Sequence, residues 1–173
     1  YLPHCNGLIV DEDGSKWYDI DDEKQICGQA TPKAMMGSNI AFRYKQWDMT
    51  MQINGAFGHK IFNGNALTYN NVLSLPNYNV TKGSDIENIQ DQTISDYYLE
   101  SGDYVNIDYI NVGWNVPIRS KYIQALRLSA SVNNLATITG YSGLTPMINS
   151  SGINGSLGID DKNVYPVYRS YTM

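Results

Sequence analysis

The sequence is poor in charge, in histidine and in cysteine, and it has no long apolar run. Charged residues make up 17% of the 173, against about 25% in an ordinary soluble domain. With 12 Lys and Arg against 17 Asp and Glu, the net charge is −5, which speaks against a nucleic-acid partner. His4 and His59 are the only histidines, and neither lies in an H-E-x-x-H or C-x-x-C setting, so the common zinc and redox motifs are missing. There is no G-x-S-x-G elbow, and scattered carboxylates with no fixed separation do not make an acid–base couple. An enzyme is therefore not expected. Two cysteines, Cys5 and Cys27, are too few for a disulfide framework. They either pair in an oxidising compartment or leave Cys27 as a small buried residue after Ile26. No apolar run is long enough for a transmembrane helix, and the N-terminal Tyr-Leu-Pro-His-Cys has no signal-peptide pattern. Neither absence bears on barrel strands, which are short and alternate in polarity.

What fills the gap is Asn, Ser, Thr, Gly and an uneven aromatic set, 14 Tyr against 3 Phe. Tyrosine suits a ring with one end in an apolar layer and its hydroxyl in water. The acidity is local. Asp11, Glu12, Asp13, Asp19, Asp21, Asp22 and Glu23 crowd one segment with Lys16 among them, either a solvated loop or a cation site.

Residues 1–33 read as loop, with a short strand near Leu8-Ile9-Val10. Over 34–57 the pattern alternates. Met36, Ser38, Ile40, Phe42 and Tyr44 share one face, and after a tight turn at Lys45-Gln46 the set Trp47, Met49, Met51 and Ile53 alternates with Asp48, Thr50, Gln52 and Asn54. This predicts a hairpin. Alternation is lost over 58–103, a long excursion with a short helix expected around Asn65–Leu73. It returns over 104–138. There Ile110, Val112 and Trp114 alternate with Asn111, Gly113 and Asn115, and a phase slip between Tyr109 and Ile110 predicts a bulge. After a turn, Leu126, Leu128, Ala130 and Val132 alternate with Arg127, Ser129, Ser131 and Asn133. Residues 139–164 are again loop, and 165–173 begin a last strand.

The connections thus alternate long and short, as between the extracellular loops and periplasmic turns of an outer-membrane barrel. Tyr44, Trp47, Trp114 and Tyr122 flank the short turns, like an interfacial girdle. Pattern alone also admits a secreted β-sandwich that binds glycans, with those rings at one edge of its core.

Four ordered segments resemble the SusC/RagA family of TonB-dependent outer-membrane transporters. The first is Thr31-Pro32-Lys33, then Asn39 to Met49, then Gly58-His59-Lys60-Ile61-Phe62-Asn63. The second runs from Ser95-Asp96-Tyr97-Tyr98-Leu99-Glu100 through Gly102 to Val116-Pro117. The third runs from Leu126 through Asn133-Asn134-Leu135 to Thr139-Gly140-Tyr141-Ser142-Gly143-Leu144-Thr145-Pro146, where the family's Asp-Pro is replaced by Thr-Pro. The last is Tyr165-Pro166. The resemblance implies an all-β fold in which antiparallel strands form the C-terminal part of a barrel of about 22 strands, set in the bacterial outer membrane with long extracellular loops. It implies a chain several times longer, with a plug and N-terminal domains elsewhere. It implies import of oligosaccharides or peptides, coupling through TonB, a SusD-like surface lipoprotein as partner, and contact with membrane lipid. No cofactor is required. Calcium at Asp19, Asp21 and Glu23 follows from the family's acidic loop, although the glycine that permits its sharp turn is displaced here. Trp17, Tyr18, Tyr69, Tyr78 and Tyr141 offer rings for stacking on sugars, with loop packing as the plainer reading. Alone, a few strands cannot close and would aggregate without detergent.

Overall fold

The computed structural model describes residues 8–10, 12, 16–18, 26–82, 92–147, 157–161, 165 and 167–173. Near the N-terminus β1 (Leu8–Val10) pairs with β2 (Lys16–Tyr18). The centre is a five-stranded antiparallel sheet. It is built from β3 (Ala34–Tyr44), β4 (Trp47–Phe57), β7 (Tyr104–Val116), β8 (Leu126–Thr139) and the short β10 (Ser170–Thr172), in the order β10-β8-β7-β4-β3. The sequence makes them strands by period-two alternation, and the short connections make β3–β4 and β7–β8 antiparallel, while β4–β7 and β8–β10 pair antiparallel across long connections. The two-residue turn between β3 and β4 holds Lys45 at φ 51°.

The register puts like with like. Tyr44 lies opposite Trp47, Trp47 opposite Trp114, and Trp114 opposite Leu128. The next row on that face is Phe42, Met49, Val112 and Ala130, and the one after it Ile40, Met51, Ile110 and Val132. On the opposite face, Ala41, Thr50, Asn111 and Ser131 form one row and Asn39, Gln52, Tyr109 and Asn133 another. Because side chains alternate across a strand, each row belongs to a single face.

The phase slip falls at Asp108 rather than between Tyr109 and Ile110. Gln52 pairs with Tyr109 but Ile53 pairs with Ile107, so Asp108 is the extra residue. Opposite it, β8 passes from Asn133 to Ala136 while β7 passes from Tyr109 to Ile107, with Asn134 at φ 55° inside the irregularity. The bulge lets Ile107 and Ile110 both serve the apolar face, and it moves Tyr109 to the polar row. Alternation read from Ile110, in either direction as far as Tyr109, gives the face correctly; the phase of Val105 and Ile107 carried forward across Asp108 misplaces Tyr109.

The described residues of the long excursion over 58–103 carry regular structure. They hold β5 (Lys60–Asn63), the helix α1 (Gly64–Tyr69), a 3-10 turn at Val72–Ser74, another at Asp96–Tyr98, and β6 (Leu99–Ser101). The helix is shorter than the sequence predicts, because Asn70 and Asn71 end it and Asn71 caps the turn that follows, accepting from the Leu73 amide at 2.9 Å. β5 pairs antiparallel with β6 and parallel with β9 (Ile159–Asp160) in a three-stranded sheet. Cys27 is half-buried, and Cys5 lies outside the described residues.

Candidate functional site

On the long-loop side, Asn63 closes β5 and opens α1. Its Oδ1 accepts from the Ala66 amide at 2.9 Å, an N-cap bond for a helix of only six residues. The helix ends on Tyr69. The Tyr69 carbonyl accepts from the Thr81 amide at 2.7 Å, which brings the following loop back beside the ring. Tyr78 meets Tyr69 edge-on, with ring centroids 6.1 Å apart and planes at 90°, a favoured aromatic geometry. Tyr78 is exposed and Tyr69 half-buried. Beneath the helix lies buried Tyr98, against which Phe62, Ala66 and Leu67 pack.

Around this helix four segments meet through polar side chains. The Glu100 carboxylate accepts from Asn63 Nδ2 at 2.8 Å, from Ser142 Oγ at 2.6 Å and from the Ser142 amide at 2.8 Å. Asn63 Nδ2 also donates to Ser142 Oγ at 3.1 Å. One residue earlier, the Tyr141 hydroxyl donates to Oδ2 of Asp160 at 2.5 Å. Asp160 is fully buried, and its Oδ1 has no hydrogen-bond partner among the described residues. Burial, the hydrogen bond to Asp160 and the charges of Asp160 and Glu100 together push the Tyr141 phenol above its ordinary range.

The polar face of the large sheet carries one charge pair near the short turns. Arg127 Nη2 lies 2.5 Å from Asp48 Oδ2, although β7 runs between their strands. Gly113 makes this reach possible. A Cβ there would fall 2.6 Å from Arg127 Nη2 and 2.9 Å from each Asp48 carboxylate oxygen. Nearer the long-loop side, the same face buries Asn106, which accepts from Thr137 Oγ1 at 2.9 Å.

Of the residues singled out from sequence, the structure brings Tyr69 and Tyr78 together. It sets Tyr141 apart, buried against Asp160 and closed to a stacking ligand in this arrangement. Trp17 and Tyr18 fall on β2, opposite Ile9 and Leu8. Asp19, Asp21 and Glu23 lie outside the described residues. Sequence reasoning missed Asn63, Glu100, Ser142 and Asp160 as one cluster. Three of them sit inside the family-like segments, but nothing in the spacing of those segments says that their polar residues touch.

On the apolar face Trp47 and Trp114 stack, with centroids 5.5 Å apart and planes at 11°. That face is uncovered: Phe42 is 57% exposed, Trp47 50% and Leu128 52%. An inner face of a sandwich would be covered by its second sheet. A face left open and apolar, ringed at one end by aromatics, fits lipid. No protein-family model matches the chain. TonB-dependent receptor P3 of Formosa agariphila is 30% identical over 183 residues, spanning 96% of this chain and 18% of that protein. The chain is homologous to a segment of a TonB-dependent receptor. Solved structures agree on the fold. The RagAB peptide importer in its closed-closed state matches with a TM-score of 0.65 and 20% identity over 94% of this chain and 19% of that one. The RagAB peptide transporter matches at 0.66 and 19% identity, with the same shares covered. The receptor segment thus spans less than a fifth of the length of these relatives. Such barrels sit in the bacterial outer membrane and cross it by strands. Among the described residues no helix of the segment is long and apolar enough to cross. The five strands form an open sheet, and closure needs the strands that complete the barrel.

Proposed function

We propose that the receptor to which this segment belongs imports oligosaccharides or peptides across the outer membrane, as a SusC-like transporter with a SusD-like surface lipoprotein, driven through TonB. The observation that carries the reading is the reversal of faces in the sheet. Large apolar side chains look outward to where lipid would be, while the other face carries Thr, Asn, Gln and Ser, with the Asp48–Arg127 charge pair closed on itself. A wall of that kind is wetted without holding a charged solute. The Tyr69–Tyr78 pair on the extracellular side supplies an apolar edge and face for a sugar ring or a peptide side chain. Calcium at Asp19, Asp21 and Glu23 belongs to the same reading, as the resemblance to the family's acidic loop implies.

The test is genetic. The gene is deleted, and growth is measured on defined oligosaccharides and on peptides as sole carbon source, with monosaccharides and amino acids as controls. Loss of growth on one polymer class, with the monomers unaffected, names the substrate class. Complementation with Tyr69→Ala, Tyr78→Ala is expected to lower uptake about fivefold, the value of one aromatic contact. Growth intact on every polymer, with the polypeptide recovered in the soluble fraction, would overturn the reading.

A further inference from the structure

We propose that Glu100, Ser142 and Asn63 form a clasp through which the segment after β8 sets the position of α1 and its tyrosine pair. The clasp's geometry stands by itself; its functional consequence rests on the reading of Tyr69 and Tyr78 as substrate contacts.

The three side chains come from distant parts of the chain, 37, 42 and 79 residues apart. All three pairs are bonded, so they form a closed triangle rather than a string. Asn63 links the triangle to the helix. Its Nδ2 donates to Glu100 and to Ser142, while its Oδ1 accepts from the Ala66 amide. Both atoms belong to one planar amide. Turning that amide to follow a displaced Glu100 would carry Oδ1 away from the amide it caps. A helix of six residues has too few internal bonds to persist without help, so its cap and its packing decide whether it forms.

A second link runs through packing. Glu100 lies two residues beyond Tyr98, the buried ring on which Ala66 and Leu67 rest. The clasp segment is also pinned on its far side, where Tyr141 holds Asp160. Asp160 pairs with Asn63 in parallel register, and the start of α1 lies directly on β9. A Cβ at Gly64 would stand 2.7 Å from the Asp160 carbonyl oxygen. Tyr141 and Ser142, adjacent in sequence, thus each hold one carboxylate, and both carboxylates belong to strands bonded to β5. Among the described residues, the bonds of the Ser142 side chain go to Glu100 and Asn63, so its effect on the helix passes through those two. Ser142 and Glu100 are positioning residues, remote from the rings they place.

The experiment is hydrogen exchange by mass spectrometry on the full receptor in detergent, comparing wild type with Ser142→Ala and Glu100→Ala. Amides of residues 64–70 are expected to exchange about five- to tenfold faster in both variants, with the β4 and β7 peptides unchanged. Unaltered exchange at 64–70 in both variants overturns the clasp. Ser142→Ala keeps the backbone donor to Glu100 and therefore decides the matter if Glu100→Ala fails to assemble, with heat-modifiable gel mobility reporting assembly. The Tyr69→Ala, Tyr78→Ala strain separates the two ideas. If it grows as wild type while Ser142→Ala still loosens 64–70, the clasp stands and the contact reading falls.

Discussion

In the five-stranded sheet the large apolar side chains of one face stay open, Phe42, Trp47 and Leu128 exposed and Met49, Met51, Ile110, Val112 and Trp114 half-buried, and every residue of β3 is open to its surroundings. In the cluster around α1 the fully buried side chains are Asn63, Asn71, Ser95 and Asp160, together with Ile61. One region therefore draws its order from backbone ladders and from neighbours in lipid, and the other from polar side chains that find one another. The contrast follows from solvent. A strand facing hydrocarbon loses nothing by showing Met or Val, because its backbone groups are satisfied by adjacent strands. A loop returning from water must satisfy each carboxylate and amide that it buries.

A single charge placed on either side of β7 tests this contrast most severely. Val112→Lys, on the apolar face, is expected to destabilise the assembled barrel by about 2–4 kcal/mol, and its neighbour Asn111→Lys, on the polar face, by less than about 1 kcal/mol. Folding of the full receptor into lipid vesicles measures both, and equal effects would mean that lipid does not cover the apolar face. In the loop cluster, Tyr141→Phe removes the one side-chain hydrogen bond to Asp160 among the described residues and leaves a buried carboxylate wanting. Local opening at 141 and 160 should become easier by about 2–3 kcal/mol, read by amide exchange. Wild-type Tyr141 adds a pH signature. Its folded pKa lies above the ordinary 10.0, so the folded state keeps the proton longer. The stabilisation is whole below that ordinary value and declines as pH rises towards the folded one. Protection at 141–142, taken relative to the base-catalysed intrinsic exchange rate, should therefore fall only on the alkaline side. Trp114→Leu keeps the apolar surface but loses the stack on Trp47, for an expected loss of about 1 kcal/mol in the same vesicle assay. Gly113→Ala should have the smallest effect, under about 1 kcal/mol, because Arg127 is half exposed and can swing away from the new methyl group. Its clearer sign would be a smaller coupling between Asp48→Asn and Arg127→Gln when the double-mutant cycle is run in the Gly113→Ala background.

Much of the sheet was legible because period two is a strong signal. Trp47, Met49 and Met51 against Asp48, Thr50 and Gln52 give strand, face and neighbour at once. The position of the bulge was less legible, since Asp108 and Tyr109 both fit a strand and only the partner strands decide which is extra. On the loop side, Asn63 at a helix start and Glu100 in a family-like run are visible singly. Their meeting with Ser142 is not, because it depends on how three connections of unequal length fold back. Tyr141 shows the limit of composition as a guide. A tyrosine in a Gly- and Ser-rich loop looks exposed, yet Asp160 draws it inward.

The flat course of Arg127 over Gly113 has an electrical consequence. Two unit charges set apart on a wall each act at long range on a passing ion. Closed to 2.5 Å, they act as a short dipole lying along the surface, whose potential fades with the square of distance rather than its first power. A residue with no side chain therefore makes this part of the wall nearly silent to the charge of whatever moves past it.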